Sequence, residues 1–214
     1  MQPYFIPYAG YFRLFAASDL FVAYDCVQFT RRGWVHRNRL PDRSGALHWL
    51  TLPLRKAPQD VLIRDLRFAT DAPARLAERL LRFDLGETDR ASVRDLLATI
   101  HRVEGTPSDY IMHILEWVVD YLKLPRNIIR SSSLDLPPSL RGQDRIMEIT
   151  RRLGAKRYVN APGGRDHYDP QAFAAAGIEL RFLPEYLGPS SSILSRIIGE
   201  RPDNLAAEIR ASAV

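Results

Sequence analysis

The chain has 214 residues, 46% of them hydrophobic, with a formal net charge of +5 and a pI near 9.5. That length sustains one sizeable core with a subordinate helical lobe. No apolar run reaches the roughly 20 residues that cross a bilayer, and no basic region followed by an apolar stretch opens the chain, so the expectation is a cytoplasmic protein without membrane anchor or signal peptide.

Pro3 and Pro7 disfavour helix, so residues 2–9 are expected to form an extended turn rich in aromatic side chains. Gly10 opens an apolar-periodic run, Phe12, Leu14, Phe15 and Ala16, that suits a short helix ending near Ser18 and Asp19. Leu20 to Tyr24 is a continuous apolar run of the kind a buried parallel strand shows, and it stops at Asp25. A carboxylate just past the C-terminal end of such a strand sits where open α/β sheets bind ligands, which makes Asp25 a candidate base or hydroxyl acceptor. Cys26, the single cysteine, excludes an intrachain disulfide framework and reads as a small buried apolar residue rather than a nucleophile. After Gln28 come Arg31, Arg32, Trp34, His36, Arg37, Asn38 and Arg39 within nine positions, with no acidic residue between Cys26 and Pro41. Guanidinium forks match phosphate oxygens bidentately, and a nearby indole can stack on a base.

Further along, 48–54 reads as a strand closed by Pro53, and 61–68 as another strand or an edge extension. Apolar positions then change to helical spacing over 73–83, 91–103 and 107–123, with Asp89 and Pro107 as start signals for the second and third helices. The second half restarts with a short strand at 127–130 and a loop at 131–141. A helix at 143–153, a strand at 157–160, a helix at 170–176 and a strand at 178–183 complete it. The pattern predicts an α/β core, mainly a parallel sheet with flanking helices, from residues 1–70 and 125–214. A helical insertion at 71–124 belongs to the same domain, and its amphipathic faces could pack within the chain or form a homodimer.

A second candidate site lies at 160–169, where a Gly-Gly loop follows a strand and precedes a helix. Backbone N–H groups of Gly163 and Gly164 could approach a phosphate or carboxylate there. Asn160, Tyr168 and Asp169 add donors and a carboxylate, and His167 is the general-base candidate because a free imidazole titrates near neutrality. His36, inside the arginine cluster, is the rival base, while His101 and His113 fall on predicted helices. No H-x-x-x-H, C-x-x-C or carboxylate-rich spacing is present, so neither metal nor cofactor is expected.

The patterns Q-P-Y-F-x-P-Y-x-G-Y-F from Gln2, S-D-L-F-V-x-Y-D-x-V-Q-F from Ser18 and R-G-W-x-x-R-N-R-L from Arg32 resemble the bacterial WbqC-like family, and the likeness continues through 154–169 and 173–182. The resemblance implies a role in surface-polysaccharide and other amino-sugar gene clusters. It also implies a short strand ahead of the Q-P motif, where this chain begins at Met1-Gln2, and an ending unlike Ser190 to Gly199. A strand, a Pro/Gly turn, a helix and a strand ending in Asp also resemble the opening of the HUP fold of nucleotidylyltransferases and class I synthetases. Their H-x-G-H histidines are missing between Pro7 and Phe12, whereas Ser190 to Arg196 looks like their late phosphate-binding helix, or simply a serine-capped one.

Three functions fit. The first is a transferase acting on a nucleotide-linked amino sugar or related small amine. In it Arg32, Arg37 and Arg39 hold the anionic group, Tyr4, Tyr11 and Trp34 stack on the base, and Gln28 and Asn38 orient a sugar. Gly10 lets backbone approach the ligand, and Asp25 or His167 deprotonates the amine. The second is an acyl- or aminoacyl-transfer enzyme using an activated donor such as aminoacyl-tRNA. The third is a non-enzymatic module binding nucleotide or RNA through the same patch.

Overall fold

The apolar run at 20–24 does form a strand, β1 (Phe21–Ala23), in this computed structural model, which describes residues 1–85 and 89–213. Its parallel partner is β4 (Ile128–Arg130), in register Phe21 to Ile128 and Ala23 to Arg130. The arginine-rich segment supplies β2 (Arg37–Pro41), which pairs antiparallel with β3 (Leu47–Thr51) so that Asn38 faces Leu50 and Arg39 faces Trp49. A second parallel pair joins β5 (Arg157–Asn160) to β6 (Glu179–Phe182). The α/β class therefore holds, but in place of one mainly parallel sheet the described residues form three two-stranded ladders. The strands are only three to five residues long, and the two parallel ladders meet through side chains. Val22 and Tyr24 on one side and Tyr158 and Leu180 on the other pack with Ile146 and Ile149 of helix α5 (Gly142–Arg152).

The helices follow the sequence pattern. A 3₁₀ turn at Ala9–Phe12 runs into α1 (Arg13–Ala16). Then come α2 (Ala72–Leu80), α3 (Ala91–His101) and α4 (Pro107–Tyr121), each ending two or three residues short of the apolar pattern. Pro107 occupies the first position of α4, and Thr106 caps it by accepting from Asp109 N at 3.1 Å. Ile111, Ile114, Leu115 and Val118 on α4 join the same core as Phe5, Phe12 and Leu50. The 61–68 segment is not a strand. Ile63 and Leu66 are buried three residues apart, the spacing that a 3₁₀ turn stacks on one side, and a turn at Ile63–Asp65 results. Beyond α6 (Pro170–Ala175), the chain ends in α7 (Ile193–Gly199) and α8 (Pro202–Ala211). Pro202 at the first position of α8 and the Leu205/Ile209 spacing are the sequence signals of this last helix.

The aromatic turn is fixed by one unusual residue. Ile6 has φ +38°, a left-handed conformation that costs a β-branched side chain on the order of 1–3 kcal/mol. Its carbonyl accepts from Asn38 Nδ2 at 2.9 Å and from Ser192 Oγ at 2.7 Å, all three residues being buried. Asn38 also donates to Phe5 O at 3.3 Å and accepts from Arg39 N at 2.8 Å. Ser192 N donates to Arg39 O and Ile193 N to Pro7 O, so the turn is clamped between β2 and the start of α7. Asn38→Ala removes the side-chain partner of Phe5 O and Arg39 N and leaves Ile6 O with Ser192 Oγ alone; at about 1–3 kcal/mol for each stranded group, it is expected to destabilise the protein by about 2–4 kcal/mol in urea unfolding. A residue that only orients a sugar would change stability by no more than about 0.5 kcal/mol.

Candidate functional site

The clamped turn faces the loop that follows β5. Between them lies a cleft of about 720 Å³ bordered by Tyr4, Tyr8, Tyr11, Tyr24, Trp34, Tyr158 and Tyr168, together with Arg39, Asn160, His167, Glu185 and Ser190. Two motif segments more than a hundred residues apart thus share one depression. Burial raises the Tyr4, Tyr8 and Tyr11 phenols and pushes Tyr24 up to about 12, so these hydroxyls stay protonated at neutral pH and act as hydrogen-bonding groups, not bases. Tyr11 donates to Gln2 O at 2.8 Å, and the Tyr158 and Tyr168 hydroxyls lie 3.2 Å apart. Asn160 accepts from Ala161 N at 2.8 Å. Its amide sits 2.5 Å from where a Cβ on Gly164 would stand, so that glycine makes room for Asn160, while Gly163 borders open space. His167 is exposed on the 3₁₀ turn Pro162–His167.

Other expected site residues have different surroundings. Gly10 is buried, and a Cβ there would stand 2.3 Å from the Tyr8 ring and 2.7 Å from Tyr186, so it permits their packing (ring centroids 5.5 Å apart) rather than ligand approach. Asn38 borders the cleft but is engaged in the turn. Arg37 lies 4.1 Å over Trp49 and bonds the Gly33 and Arg32 carbonyls; Arg32 itself is exposed. Of the arginine cluster, Arg39 lines the cleft, 5.9 Å from the Trp34 ring and 5.8 Å from Trp49, with a buried Nε that has no partner. Asp169 lies outside the lining; it caps α6 by accepting from Gln171 N at 2.9 Å.

Two of the three acid/base candidates stand apart from this cleft. Asp25 is wholly buried and accepts from Ser131 Oγ (3.1 Å), Ser132 N (2.9 Å) and Ser132 Oγ (2.7 Å), which ties the end of β1 to the end of β4. Three of its roughly four acceptor sites are thereby taken up within the fold. His36 packs edge-on to Phe29 and borders a separate depression of about 300 Å³ with Arg31, Arg55, Lys56, Arg75 and Arg79. Burial, then Arg37 and Arg79, pushes it down to about 4. Gln28 and Cys26 line a further cleft of about 700 Å³, which shares Gln2 and Tyr24 with the aromatic one. Tyr8, Tyr24, Tyr158 and Glu185 are not among the residues the sequence points to, and Ser190 stands out only as the start of a serine-rich helix cap. Tyr8 and Tyr24 lay inside the quoted motifs, and Tyr158 carried only the alternation of a short strand.

A model of the WbqC-like protein family matches residues 2–189. The uncharacterized protein Rv1507c of Mycobacterium tuberculosis is 28% identical over 187 residues, covering 86% of this chain and 80% of that protein. No solved structure matches the chain.

His36 makes a pH prediction. Because its folded value lies near 4, below the ordinary 6.5, the unfolded chain binds the extra proton first and stability falls as pH drops from about 6.5 towards 4. The full effect is on the order of 2–3 kcal/mol. Urea midpoints of the wild type measured across that window should fall more steeply than those of His36→Gln; parallel curves would place His36 in water.

Proposed function

Because the chain belongs to the WbqC-like protein family and folds its two motif segments onto one aromatic cleft, we propose that it is a transferase acting on a nucleotide-linked amino sugar or a related small amine. The association of such proteins with surface-polysaccharide and amino-sugar clusters supports the pathway, and a cytoplasmic location follows from it. Among the described residues no helix is long and apolar enough to cross a membrane. The observation that carries the reading is the lining of the cleft: stacking faces for rings, protonated phenols and the Asn160 amide for sugar hydroxyls, and Arg39 for negative charge. His167, at the mouth of the Gly-Gly turn, takes the proton from the acceptor amine as its nitrogen bonds to the donor's electrophilic carbon and the leaving group departs with the bonding electrons. Asp25 and His36 have no part in this scheme.

A second reading has its own observation. Trp34 and Trp49 are 38% and 43% exposed, 5.2 Å apart, with Arg37 and Arg39 against them, so an arginine–indole surface borders the cleft. Such a surface suits stacked bases and favours an acyl or aminoacyl donor carried on RNA; without turnover it would describe a nucleotide- or RNA-binding module.

Thermal shifts against nucleotides, nucleotide-linked amino sugars and a deacylated tRNA pool, at low and moderate salt, separate these readings. The transferase predicts stabilisation by one nucleotide-linked amino sugar class at both salts. His167→Ala should retain that stabilisation while kcat falls roughly 10²–10⁴-fold. A response to RNA alone, lost with salt, would overturn the transferase.

A further inference from the structure

The cleft beside the aromatic one contains a charge the fold does not balance. Arg145, on the first turns of α5, is 8% exposed. Its Nη1 donates to Cys26 O at 2.7 Å, and its Nε is buried with no partner. Among the described residues no carboxylate lies within 4.0 Å of Arg145 or of Arg141, which lines the same cleft. A buried guanidinium without a counter-ion is strongly unfavourable unless something anionic joins it. Arg13, also buried and with an unpartnered Nε, offers a contrast: it sits 5.6 Å from the Tyr186 ring centroid, donates to Pro184 O and lines neither cleft. Arg145 is the one placed where a ligand could meet it.

Independent features converge on the same place. β1 and β4 run parallel, and the residues just past their C-terminal ends, Cys26, Ser131 and Ser132, line the cleft, which is where α/β folds hold ligands. The N-terminus of α5 opens into it at Arg141 and Gly142, and the Arg141 side chain does not cap the helix, leaving first-turn N–H groups for an anion. Asp144, the acidic residue of that turn, lines a different depression. Arg64 lines the cleft with only a 3.7 Å contact to Asp65. Asp60 and Asp135 also line it, and neither pairs with these arginines.

We propose that this second cleft is a phosphoryl-anion site, with Arg145 as its buried anchor and Arg141, Arg64 and the α5 N-terminus completing it. Its natural occupant is the diphosphate of the substrate whose rings lie in the aromatic cleft, an identification that rests on the transferase reading. Tyr24 and Gln2 border both clefts, and Ile146, next to Arg145 on α5, borders the aromatic one, so a single ligand can span them.

Calorimetric titration of the full chain with inorganic pyrophosphate, inorganic phosphate and a nucleoside diphosphate amino sugar tests this. Pyrophosphate should bind more tightly than phosphate. Arg145→Lys, which loses the planar fork, should weaken pyrophosphate at least tenfold, and Arg141→Gln, an exposed change that leaves the core intact, about three- to tenfold. Arg151→Gln, on the exposed side of α5 and paired with Glu148, should leave it unchanged. Wild-type pyrophosphate affinity in Arg145→Lys and Arg141→Gln, or an equal loss in Arg151→Gln, overturns the site. Pyrophosphate binding with the expected variant losses but no nucleotide-sugar binding keeps the anion site and removes the transferase reading. Nucleotide-sugar binding of wild-type strength in Arg145→Lys that pyrophosphate does not compete with does the reverse.

Discussion

The main-chain carbonyl of Ile6 is the point on which the rest of the site depends. A β-branched residue adopts the left-handed region only where its surroundings compel it, and here two buried side chains from distant parts of the chain, Asn38 and Ser192, bond the same oxygen. Release of that oxygen would free Pro7 and Tyr8, and with them one wall of the aromatic cleft. The turn is held by β2 and the start of α7 together, so the cleft belongs to the whole fold rather than to any one segment.

Polar residues near the two clefts divide by what they already bond. Asn38, Asp25 and Asp169 have their oxygens or amides engaged within the chain, and each resembles a ligand-binding residue only when read in isolation. Arg39 and Arg145 are the opposite case, since each borders a cleft and retains a buried Nε without a partner. Satisfied groups build the site and unsatisfied ones are free for a ligand, because an unmade buried hydrogen bond costs more than a made one contributes. By this criterion the charge that matters lies partly outside the arginine-rich motif.

Much of the architecture was legible in the sequence. Periodicity located six helices, α1 to α6, and the strands of both parallel pairs, because apolar spacing reflects burial directly. It could not show how short strands combine, since whether Tyr24 and Tyr158 meet across α5 or across a ladder depends on contacts remote in sequence. The candidate site was half legible for the same reason. Aromatics, arginines and the Gly-Gly loop marked the two segments, but Asp25 was read as a base when the serines that occupy it lie at 131 and 132, more than a hundred positions away. The burial of Arg145 against Cys26 O has no sequence signal, because its partner lies 119 positions away.

If the N-terminal turn and the loop after β5 form one binding site, a single ligand must protect both segments. Amide hydrogen exchange of the purified protein, with and without a millimolar nucleoside diphosphate amino sugar, tests it directly. The ligand should slow exchange together in residues 4–11 and 160–168. Protection confined to one of these segments, or to neither, would contradict it.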